Sequence, residues 1–217
     1  MKVLVIGANG NTGTRVVRRL VAHPAHMPLA MIRDPAQRTK FDELGAPTVL
    51  ADLEYPIDHA VAGSDAVIFA AGSGGHTGKD KTVLIDHIGA IRAAVTALVQ
   101  QAHRFIMLSA LNADARSDSR IPHYHRAKGL ADDFIRQMPQ VMDGQGLDWT
   151  TVHPGGLYDE PGPGGVTVSS NLAGTGRTSR EDLAAALVAC LDLPNAIGKS
   201  FTLLDGDTPI DQALRTI

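Results

Sequence analysis

Cysteine is almost absent from this chain, and its scarcity already limits the class of protein. A single cysteine, Cys190, occurs among 217 residues, so no intramolecular disulfide can form and an oxidising, secreted setting is disfavoured. Cys190 lies in the apolar run 184–191, which favours a buried and unreactive thiol. We therefore expect a cytoplasmic protein whose core needs no covalent cross-link.

Long apolar runs and an excess of positive charge are also missing. The apolar start at residues 3–6 is too short for a secretion signal, and we expect no segment of membrane-spanning length. The formal net charge is −3 with acids and bases interspersed, so no basic stripe is available for the phosphates of a nucleic acid. No repeat or low-complexity linker divides the chain. These absences predict one domain over residues 1–217 that binds a small molecule, with neither nucleic acid nor membrane as a partner.

Short runs that are apolar almost throughout alternate with helical patterns. Such runs are typical of parallel strands covered by helices on both faces. The predicted strands are residues 3–6, 29–32, 48–50, 66–70, 104–108, 149–152 and 201–204. The clearest predicted helices are residues 12–21, 81–101, 125–137 and 180–191, and Pro139 should end or kink the third of these near Met138. The alternation predicts the α/β class, as a single-domain Rossmann fold with a doubly wound parallel sheet and helices on both faces.

A glycine-rich loop with the spacing GxxGxxG follows the first predicted strand directly. Glycine is needed where such a turn takes unusual backbone angles, approaches a pyrophosphate, or packs a helix closely on a strand. Free amides at the start of the next helix also attract phosphate. A tight turn without a ligand has the same spacing, but the strand before it and the helix after it favour a dinucleotide site. The residues that we expect to bind the cofactor here are Gly7, Asn9, Gly10, Asn11, Thr12 and Gly13.

The end of the second predicted strand bears on the choice between NADP and NAD. Arg33 stands where the adenosine ribose is expected, with Asp34 beside it. An acid at this place binds the ribose hydroxyls of NAD, whereas a guanidinium accommodates the 2′-phosphate of NADP. Arg33 therefore favours NADP, the alternative being a solvated loop charge. Asp52 and Leu53 close the third strand and are expected to border adenine, although Asp52 could instead cap the next helix.

A candidate reaction centre follows the fifth predicted strand. Ser109 ends that strand, and Tyr124 and Lys128 follow at i, i+4 spacing on one helix face. An ammonium about 4 Å from a phenol favours the phenolate by up to about 4 kcal/mol, so we expect the pKa of Tyr124 to be lowered. Tyr124 would protonate a carbonyl oxygen as hydride arrives, Ser109 would hydrogen-bond that oxygen, and Lys128 would also hold the nicotinamide ribose. The alternative is a surface Tyr–Lys pair with a capping serine.

Five segments together resemble a known family: the glycine loop 7–13 and residues 33–35, 86–90, 107–109 and 153–157. They resemble the short-chain dehydrogenases/reductases over nearly the whole chain, and specifically their atypical branch of small NAD(P)-binding proteins. Within that branch the chain is similar to flavin/biliverdin reductase B-like proteins and to proteins named as NAD-dependent epimerases. A homodimer is implied by this resemblance alone.

The resemblance implies roles for particular residues. Ser109, Tyr124 and Lys128 match the family's catalytic serine, tyrosine and lysine. Asp86 matches a catalytic position where most of the superfamily has an asparagine that supports a water chain to the lysine, and His153 stands where the atypical branch often has arginine. Substrate-side loops are expected at about residues 110–123 and 154–178. Further cofactor contacts are expected from Ala70, Ala71, Gly72, Lys128, Pro154 and Gly155.

Two classes of function fit these features. The first is an NADP-dependent reductase of a carbonyl, quinone or flavin-like acceptor with Tyr124 as the general acid, and the second is a non-catalytic NADP-binding redox sensor. The complete set of serine, tyrosine and lysine favours the enzyme, whereas Asp86 leaves the sensor open. An epimerase or dehydratase that uses NAD transiently is disfavoured, because the chain lacks room for a large substrate domain. No metal is expected, since His123 and His125 do not share a helix face and lack companion ligands.

Overall fold

Strands and helices alternate along the chain, as the sequence predicts. The computed structural model describes residues 1–74, 77–142 and 144–217. The strands are β1 Lys2–Ile6, β2 Met27–Ile32, β3 Thr48–Leu50, β4 Ala66–Phe69, β5 Arg104–Leu108, β6 Asp148–Pro154, β7 Gly156–Tyr158, β8 Gly165–Ser169, β9 Arg177–Ser179, β10 Lys199–Asp205 and β11 Thr208–Pro209. The α-helices are α1 Asn11–Val21, α2 Arg38–Leu44, α3 Asp58–Val61, α4 Lys79–Thr82, α5 Ala90–Val99, α6 Pro122–Val141, α7 Arg180–Ala189 and α8 Ile210–Leu214. A π-helical segment, Val83–Gly89, joins α4 to α5, and short 3-10 turns occur at Pro35–Gln37, Cys190–Asp192 and Pro194–Ala196.

The main sheet has the strand order β11-β8-β10-β6-β5-β4-β1-β2-β3. All neighbours from β3 to β10 are parallel, whereas β8 and β11 join the β10 edge as antiparallel strands. The chain builds outward from β1 through β2 and β3, and then in the opposite direction from β4. Ligands bind at such a switch point, outside the carboxyl ends of the strands. The predicted doubly wound Rossmann sheet is therefore confirmed.

The central strand β1 contributes to a separate apolar core on each face of the sheet. Successive side chains of a strand point to opposite faces. Val3 and Val5 pack in a cluster with α1 and α7, whereas Leu4 and Ile6 pack in a second cluster with α5 and α6. Burial on both faces explains why these strands are apolar almost throughout.

The structure differs from two local expectations. Helix α6 continues through Pro139 to Val141 instead of ending near Met138. Pro139 lies in the last turn, where its missing N–H removes one helical bond while Met142 N still donates to Met138 O. The segment 154–178 is not a loop throughout, because it contains β7, β8 and the start of β9. Proline and glycine residues lie on either side of these short strands. The strands therefore do not form the long apolar runs by which strands are predicted from the sequence.

The helical stretch Lys79–Val99 is the longest apolar one in the described part of the chain. Its 21 residues are long and apolar enough to cross a membrane, contrary to the expectation that no segment reaches that length. The stretch packs on β4 and α6, and core helices of water-soluble domains have the same length and composition. This finding alone is therefore weak evidence for a membrane span.

Candidate active site

A cleft of about 340 Å³ opens at the carboxyl ends of the strands around β1 and β4. This is the switch point of the sheet, where the fold predicts a ligand. Residues from four separate strand ends meet in it, although they are far apart in the sequence. The cofactor-site residues of the sequence analysis that line the cleft are Gly7, Asn9, Gly10, Arg33, Asp52, Leu53, Ala70, Ala71 and Gly72.

The glycine loop, called the glycine cradle below, packs so closely on its surroundings that Gly7 and Gly13 have no space for a side chain. Gly7 has a φ of +81°, and a Cβ added to it would lie 2.6 Å from Ala71 Cα. A Cβ on Gly13 would lie 2.1 Å from Gly7 O. Gly10 N donates to Gly7 O at 3.0 Å, and Gly10 precedes α1 without a side-chain cap. The first amides of α1 are therefore left for an anion, as a bound pyrophosphate requires.

The remaining residues of the loop lie at the start of α1. Asn11 and Thr12 form its first turn with Gly13, and Thr12 is buried. The structure brings all three next to the cleft without making them part of its lining. At a helix start the first amides have no helical partner, so these residues offer backbone N–H groups to an anion.

Lys40 on α2 is a cofactor-side residue that the sequence analysis missed. Its Nζ donates to Asn9 Oδ1 at 3.0 Å and to Thr14 Oγ1 at 2.7 Å, so the ammonium lies over the glycine loop. Partial burial lowers the pKa of Lys40 below its usual 10.5, and the charge of Arg18 lowers it further. Arg33 lines the same cleft, so two cations border its cofactor end. The sequence does contain a signal for Lys40, because it lies in the first helix after the strand that ends just before Arg33.

Two acids that follow β2 and β3, Asp34 and Asp52, accept hydrogen bonds within turns. Asp34 Oδ1 accepts a hydrogen bond from Ala36 N at 2.9 Å and thereby caps the turn Pro35–Gln37. Asp52 Oδ1 accepts from Glu54 N at 3.0 Å. The alternative that Asp52 caps the next helix is wrong, because Asp52 bonds within a turn and the residue before α3 is Ile57, whereas Asp52 does line the cleft.

Lys128 is buried at the far end of the cleft and its ammonium is engaged by protein atoms. Its Nζ lies 3.2 Å from Asp86 Oδ1 and donates to Leu108 O at 3.1 Å and to Ala71 O at 3.3 Å. Two of its three N–H groups donate to these backbone carbonyls, whereas Asp86 Oδ1 lies at ion-pair distance without accepting a hydrogen bond from the described residues. Lys128 reaches the cleft lining through its contact with Ala71.

Asp86 is completely buried in the π-helical segment and contacts Lys128 directly. Its second oxygen accepts a hydrogen bond from Ser73 N at 2.9 Å. Burial alone would lower the pKa of Lys128, but the attraction of Asp86 outweighs it and raises that pKa above the usual 10.5. Where the resemblance implies a water chain to the lysine, the structure has an ion pair. Single π-helical turns are frequent at functional sites, and this one presents Asp86 to the reaction centre.

The pKa of Tyr124 is raised, so the expectation of a lowered value is wrong. Tyr124 lies one turn before Lys128 on α6 and is partly buried. Burial raises its pKa above 10.0, the lysine lowers it by less, and Asp86 and Asp132 raise it further. The expectation counted the charge of Lys128 without the carboxylate that pairs with it. Tyr124 therefore keeps its proton at neutral pH and is available as a proton donor.

Ser109 faces a buried carboxyl group that the sequence analysis missed. Its Oγ donates to Asp132 Oδ2 at 2.5 Å, and both side chains are almost completely buried. Burial raises the pKa of Asp132 above its usual 3.8, against the opposing effects of His153 and of the Ser109 hydrogen bond. Asp132 follows Lys128 at i+4, so it shares a helix face with Tyr124 and Lys128. Extending the Tyr–Lys spacing by one more turn would have found it.

The connection between β5 and α6 lies against the start of α6. Asp114 N donates to His125 O, and Arg126 Nε donates to Ser117 O at 2.7 Å. A Cβ on Gly129 would lie 2.4 Å from Ala115 N, so only glycine permits this approach. The connection is thereby fixed to the helix that carries Tyr124.

The two segments that the sequence assigns to the substrate side contact each other through Asn112. Its Nδ2 donates to Gly174 O at 3.0 Å, and its Oδ1 accepts from Gly174 N at 2.9 Å.

Pro154 and Gly155, which the resemblance assigns to the cofactor, lie at the end of β6 outside the cleft lining. Gly155 N donates to Thr178 Oγ1 at 3.0 Å, so it contributes to holding β6 against β9.

One group of metal-ligand side chains lies away from the cleft in the described part of the chain. The ligand atoms of His23, His26 and Asp192 are within 4.8 Å of one another. The two imidazole rings are stacked, with centroids 4.3 Å apart and planes 9° apart. A ring nitrogen binds a metal in the plane of its ring, and two parallel stacked planes do not contain one common ion. The group is instead a stacked pair in which His26 Nε2 lies 3.0 Å from Asp192 Oδ2.

Comparison with known proteins agrees with the geometry of the cleft. Residues 7–194 match the family described as NAD(P)H-binding. The chain is similar to the "Uncharacterized sugar epimerase YhfK" of Bacillus subtilis (strain 168), with 41% identity and 100% of both chains covered. A solved structure described as "Putative NAD-dependent epimerase/dehydratase from Bacillus halodurans" has a TM-score of 0.91 and 40% identity, and 100% of each chain is covered.

A more distant structural neighbour is described as an anaerobillin reductase, ChuY, from Escherichia coli O157:H7. It has a TM-score of 0.79 and 20% identity over 95% of this chain and 98% of that chain, so the likeness shows the fold alone. The family match, the sheet order and the glycine cradle agree with one another and with the resemblance to the atypical short-chain dehydrogenases/reductases. The chain belongs to the NAD(P)H-binding family of Rossmann-fold proteins.

Proposed function

We propose that the protein is an NADP-dependent oxidoreductase that reduces a carbonyl, quinone or flavin-like acceptor. The observation that carries the proposal is the contact between Lys128 and Ala71 O, because Ala71 lines the cofactor cleft. Lys128 lies one turn after Tyr124 on the same face of α6. This contact supports the proposal that Tyr124 acts beside a dinucleotide bound in the cleft.

The choice of NADP over NAD is supported by the charges at the cofactor end of the cleft. Arg33 lines the cleft, and Lys40 contacts Asn9, which also lines it. Asp34, the acid that could bind the ribose hydroxyls of NAD, instead caps a turn. The two cations, together with an Asp34 carboxylate that is already hydrogen-bonded in a turn, favour a 2′-phosphate over a free 2′-hydroxyl.

Proton transfer in the proposed reaction is the role of Tyr124. The cofactor supplies hydride when bound. Tyr124 holds its proton on the phenol oxygen and donates it to the substrate oxygen as negative charge develops there. Oxidation of an alcohol would require a tyrosinate base, which the raised pKa of Tyr124 disfavours.

The proposal is tested by NADPH oxidation with a panel of quinones, aldehydes and flavins. We expect Tyr124→Phe to lower kcat by about 100-fold or more, because the proton donor is lost, while the Kd for NADPH stays unchanged. Tyr55→Phe is the matched control, since Tyr55 is 68% exposed. A wild-type protein that reduces no acceptor would overturn the proposed reaction, and full activity of Tyr124→Phe would overturn the acid role.

The cofactor choice has its own test, in which the Kd values for NADPH and NADH are compared. Arg33→Ala and Lys40→Ala should each weaken NADPH binding about tenfold or more and leave NADH binding unchanged, because a hydrogen bond to a charged group contributes about 1.5–3 kcal/mol. Lys199→Ala is the control, since Lys199 is exposed at the start of β10. Equal losses for the two cofactors would contradict the assignment.

A second candidate, an NADP-binding sensor without turnover, is favoured by one observation. Lys128 is paired with the carboxylate of Asp86, and two of its N–H groups donate to backbone carbonyls, so the lysine does not act freely on Tyr124 or on a ribose. The acceptor panel separates the candidates. NADPH binding without turnover of any acceptor would favour the sensor.

A further inference from the structure

Ser109 belongs to a group of three buried polar side chains. The group consists of Ser109, Asp132 and His153, all almost completely buried. Ser109 donates to Asp132 Oδ2, and Asp132 Oδ1 has no hydrogen-bond partner among the residues that the structure describes. Burying a carboxylate with an unsatisfied oxygen is costly, whereas burying the neutral acid costs far less. The surroundings of Asp132 therefore favour its neutral form.

The protonation state of Asp132 determines what Ser109 can offer a substrate. A hydroxyl group has one proton to donate. When Asp132 is ionised it takes that hydrogen bond, and Ser109 presents only lone pairs. When Asp132 is neutral, its own O–H donates to Ser109 Oγ, and the seryl proton is free for a substrate oxygen. Only the second arrangement stabilises negative charge on that oxygen.

Charged groups on two elements act on Asp132. On α6, Lys128 one turn before it and Arg136 one turn after it favour the carboxylate, but burial outweighs both and raises the pKa of Asp132. The effect of Lys128 is limited because its ammonium is paired with Asp86. Helix α6 therefore supplies no free cation that would hold Asp132 in its ionised form.

The second element, β6, contributes His153. The hydrogen bonds of His153 limit its effect on the ionisation of Asp132. Its Nδ1 lies 2.9 Å from Ala110 O, and because a carbonyl only accepts, Nδ1 carries the proton of the neutral ring. Its Nε2 lies 3.8 Å from Asp132 Oδ2 and 3.1 Å from Thr151 Oγ1. A ring protonated on Nδ1 alone has no Nε2 proton to offer Asp132, whereas a ring protonated on both nitrogens would favour the carboxylate, so a neutral Asp132 requires the former.

We propose that Asp132 is a positioning residue that holds Ser109 in its donating orientation: as a neutral acid it donates to Ser109 Oγ and directs the seryl proton toward the substrate oxygen. The inference rests on the proposed reductase function and adds a residue that no motif in the sequence marks. Reduction then slows as Asp132 ionises, because Ser109 turns its proton away from the substrate.

The pH profile of kcat tests this role. In wild type, kcat should fall tenfold per pH unit above the pKa of Asp132 and level off near the kcat of Ser109→Ala. Asp132→Asn should lose this decline, since the amide N–H donates to Ser109 at every pH, and Ser109→Ala should have a kcat about 100-fold lower without the decline. Asp133→Asn is the matched control. The Asp133 side chain is next to Asp132 in the sequence but is 43% exposed, so this variant should keep the wild-type pH profile of kcat. An unchanged decline in Asp132→Asn would overturn the proposal.

A second measurement needs no turnover and no stable active-site variant. In the protein saturated with NADP, the ¹³C resonance of the Asp132 carboxyl group, assigned by its loss in Asp132→Asn, should have the shift of a neutral acid at pH 7. Ser109→Ala should raise the pH at which it ionises, because the carboxylate loses a hydrogen bond. A carboxylate shift at pH 7 would overturn the positioning role even in a working reductase. A neutral Asp132 in a protein that reduces no acceptor would support the assignment and overturn the reductase instead.

Discussion

Alanine in place of Gly7 would introduce two penalties in the cofactor cradle. The φ of +81° places a residue with a side chain in the left-handed region, which costs about 1–2 kcal/mol. The new Cβ would also lie 2.6 Å from Ala71 Cα, whereas ordinary contact begins at 3.4 Å, so the loop or the end of β4 must move by about 0.8 Å. Overpacking of this kind costs about 1–3 kcal/mol. Gly7→Ala should therefore lower the free energy of unfolding by about 2–5 kcal/mol.

Gly45→Ala separates the two penalties. Gly45 has a φ of +75° at the end of α2, and nothing lies within 4 Å of an added Cβ. This variant incurs the backbone penalty alone, so we expect a loss of about 1–2 kcal/mol. The difference between the two variants measures how closely the glycine loop approaches Ala71.

Urea unfolding and NADPH titration are the two assays. A displaced loop loses hydrogen bonds from its amides to the pyrophosphate, each contributing about 1.5–3 kcal/mol, so the Kd for NADPH should rise at least about tenfold in Gly7→Ala. Gly45→Ala should bind NADPH as wild type does. If Gly7→Ala bound NADPH with the wild-type Kd and were no less stable than Gly45→Ala, the loop would not be a phosphate cradle.

Three further predictions concern ionisable groups. Asp86→Asn removes a carboxylate that raises the pKa of both Lys128 and Tyr124, so tyrosinate absorbance assigned by its loss in Tyr124→Phe should appear at lower pH than in wild type; an unchanged titration would contradict this. Because burial raises the pKa of Asp132 in the folded state, its contribution to stability is complete below about pH 3.8 and is lost as pH rises through the folded pKa. The free energy of unfolding of Asp132→Asn relative to wild type should therefore increase over that interval and then level off, and a constant difference in denaturation from pH 3 to pH 8 would refute the shift. Burial raises the pKa of Cys190 to about 12, so a thiol reagent at pH 8 should label the chain only after unfolding, and rapid labelling of the native protein would show the thiol to be accessible.

The fold could be predicted because its signals are local. The run before Gly7 is apolar at every position from Val3 to Ile6, and the glycine loop passes directly into α1, so strand, turn and helix are adjacent in the sequence. Arg33 could be assigned for the same reason, since the end of β2 is visible as the end of an apolar run. In each case the structural role depends on neighbours within a few positions.

The reaction centre could be predicted only in part, because its contacts depend on strand register. Pairing of Leu108 with Val152 sets Ser109 beside His153, and nothing local to either residue indicates it. Asp132 was open to prediction from its i+4 spacing, but its bond to Ser109 requires the packing of α6 against the end of β5. The sequence could therefore name Ser109 without identifying its hydrogen-bond partner.

Burial and charge pairing together explain why the reaction centre differs from the lysine-activated tyrosine that the sequence predicts. Burial of the phenol raises the pKa of Tyr124 by more than Lys128 lowers it, and Asp86, 3.2 Å from Lys128, raises it further. With Asp132 favoured in its neutral form, the buried face of α6 carries proton donors and no net charge. Arg33 lines the cleft at the end of β2, and Lys40 lies beside it with its ammonium hydrogen-bonded to Asn9 and Thr14. Positive charge thus serves to bind the dinucleotide, whereas the chemistry at the other end depends on which of its hydroxyl groups can donate a proton.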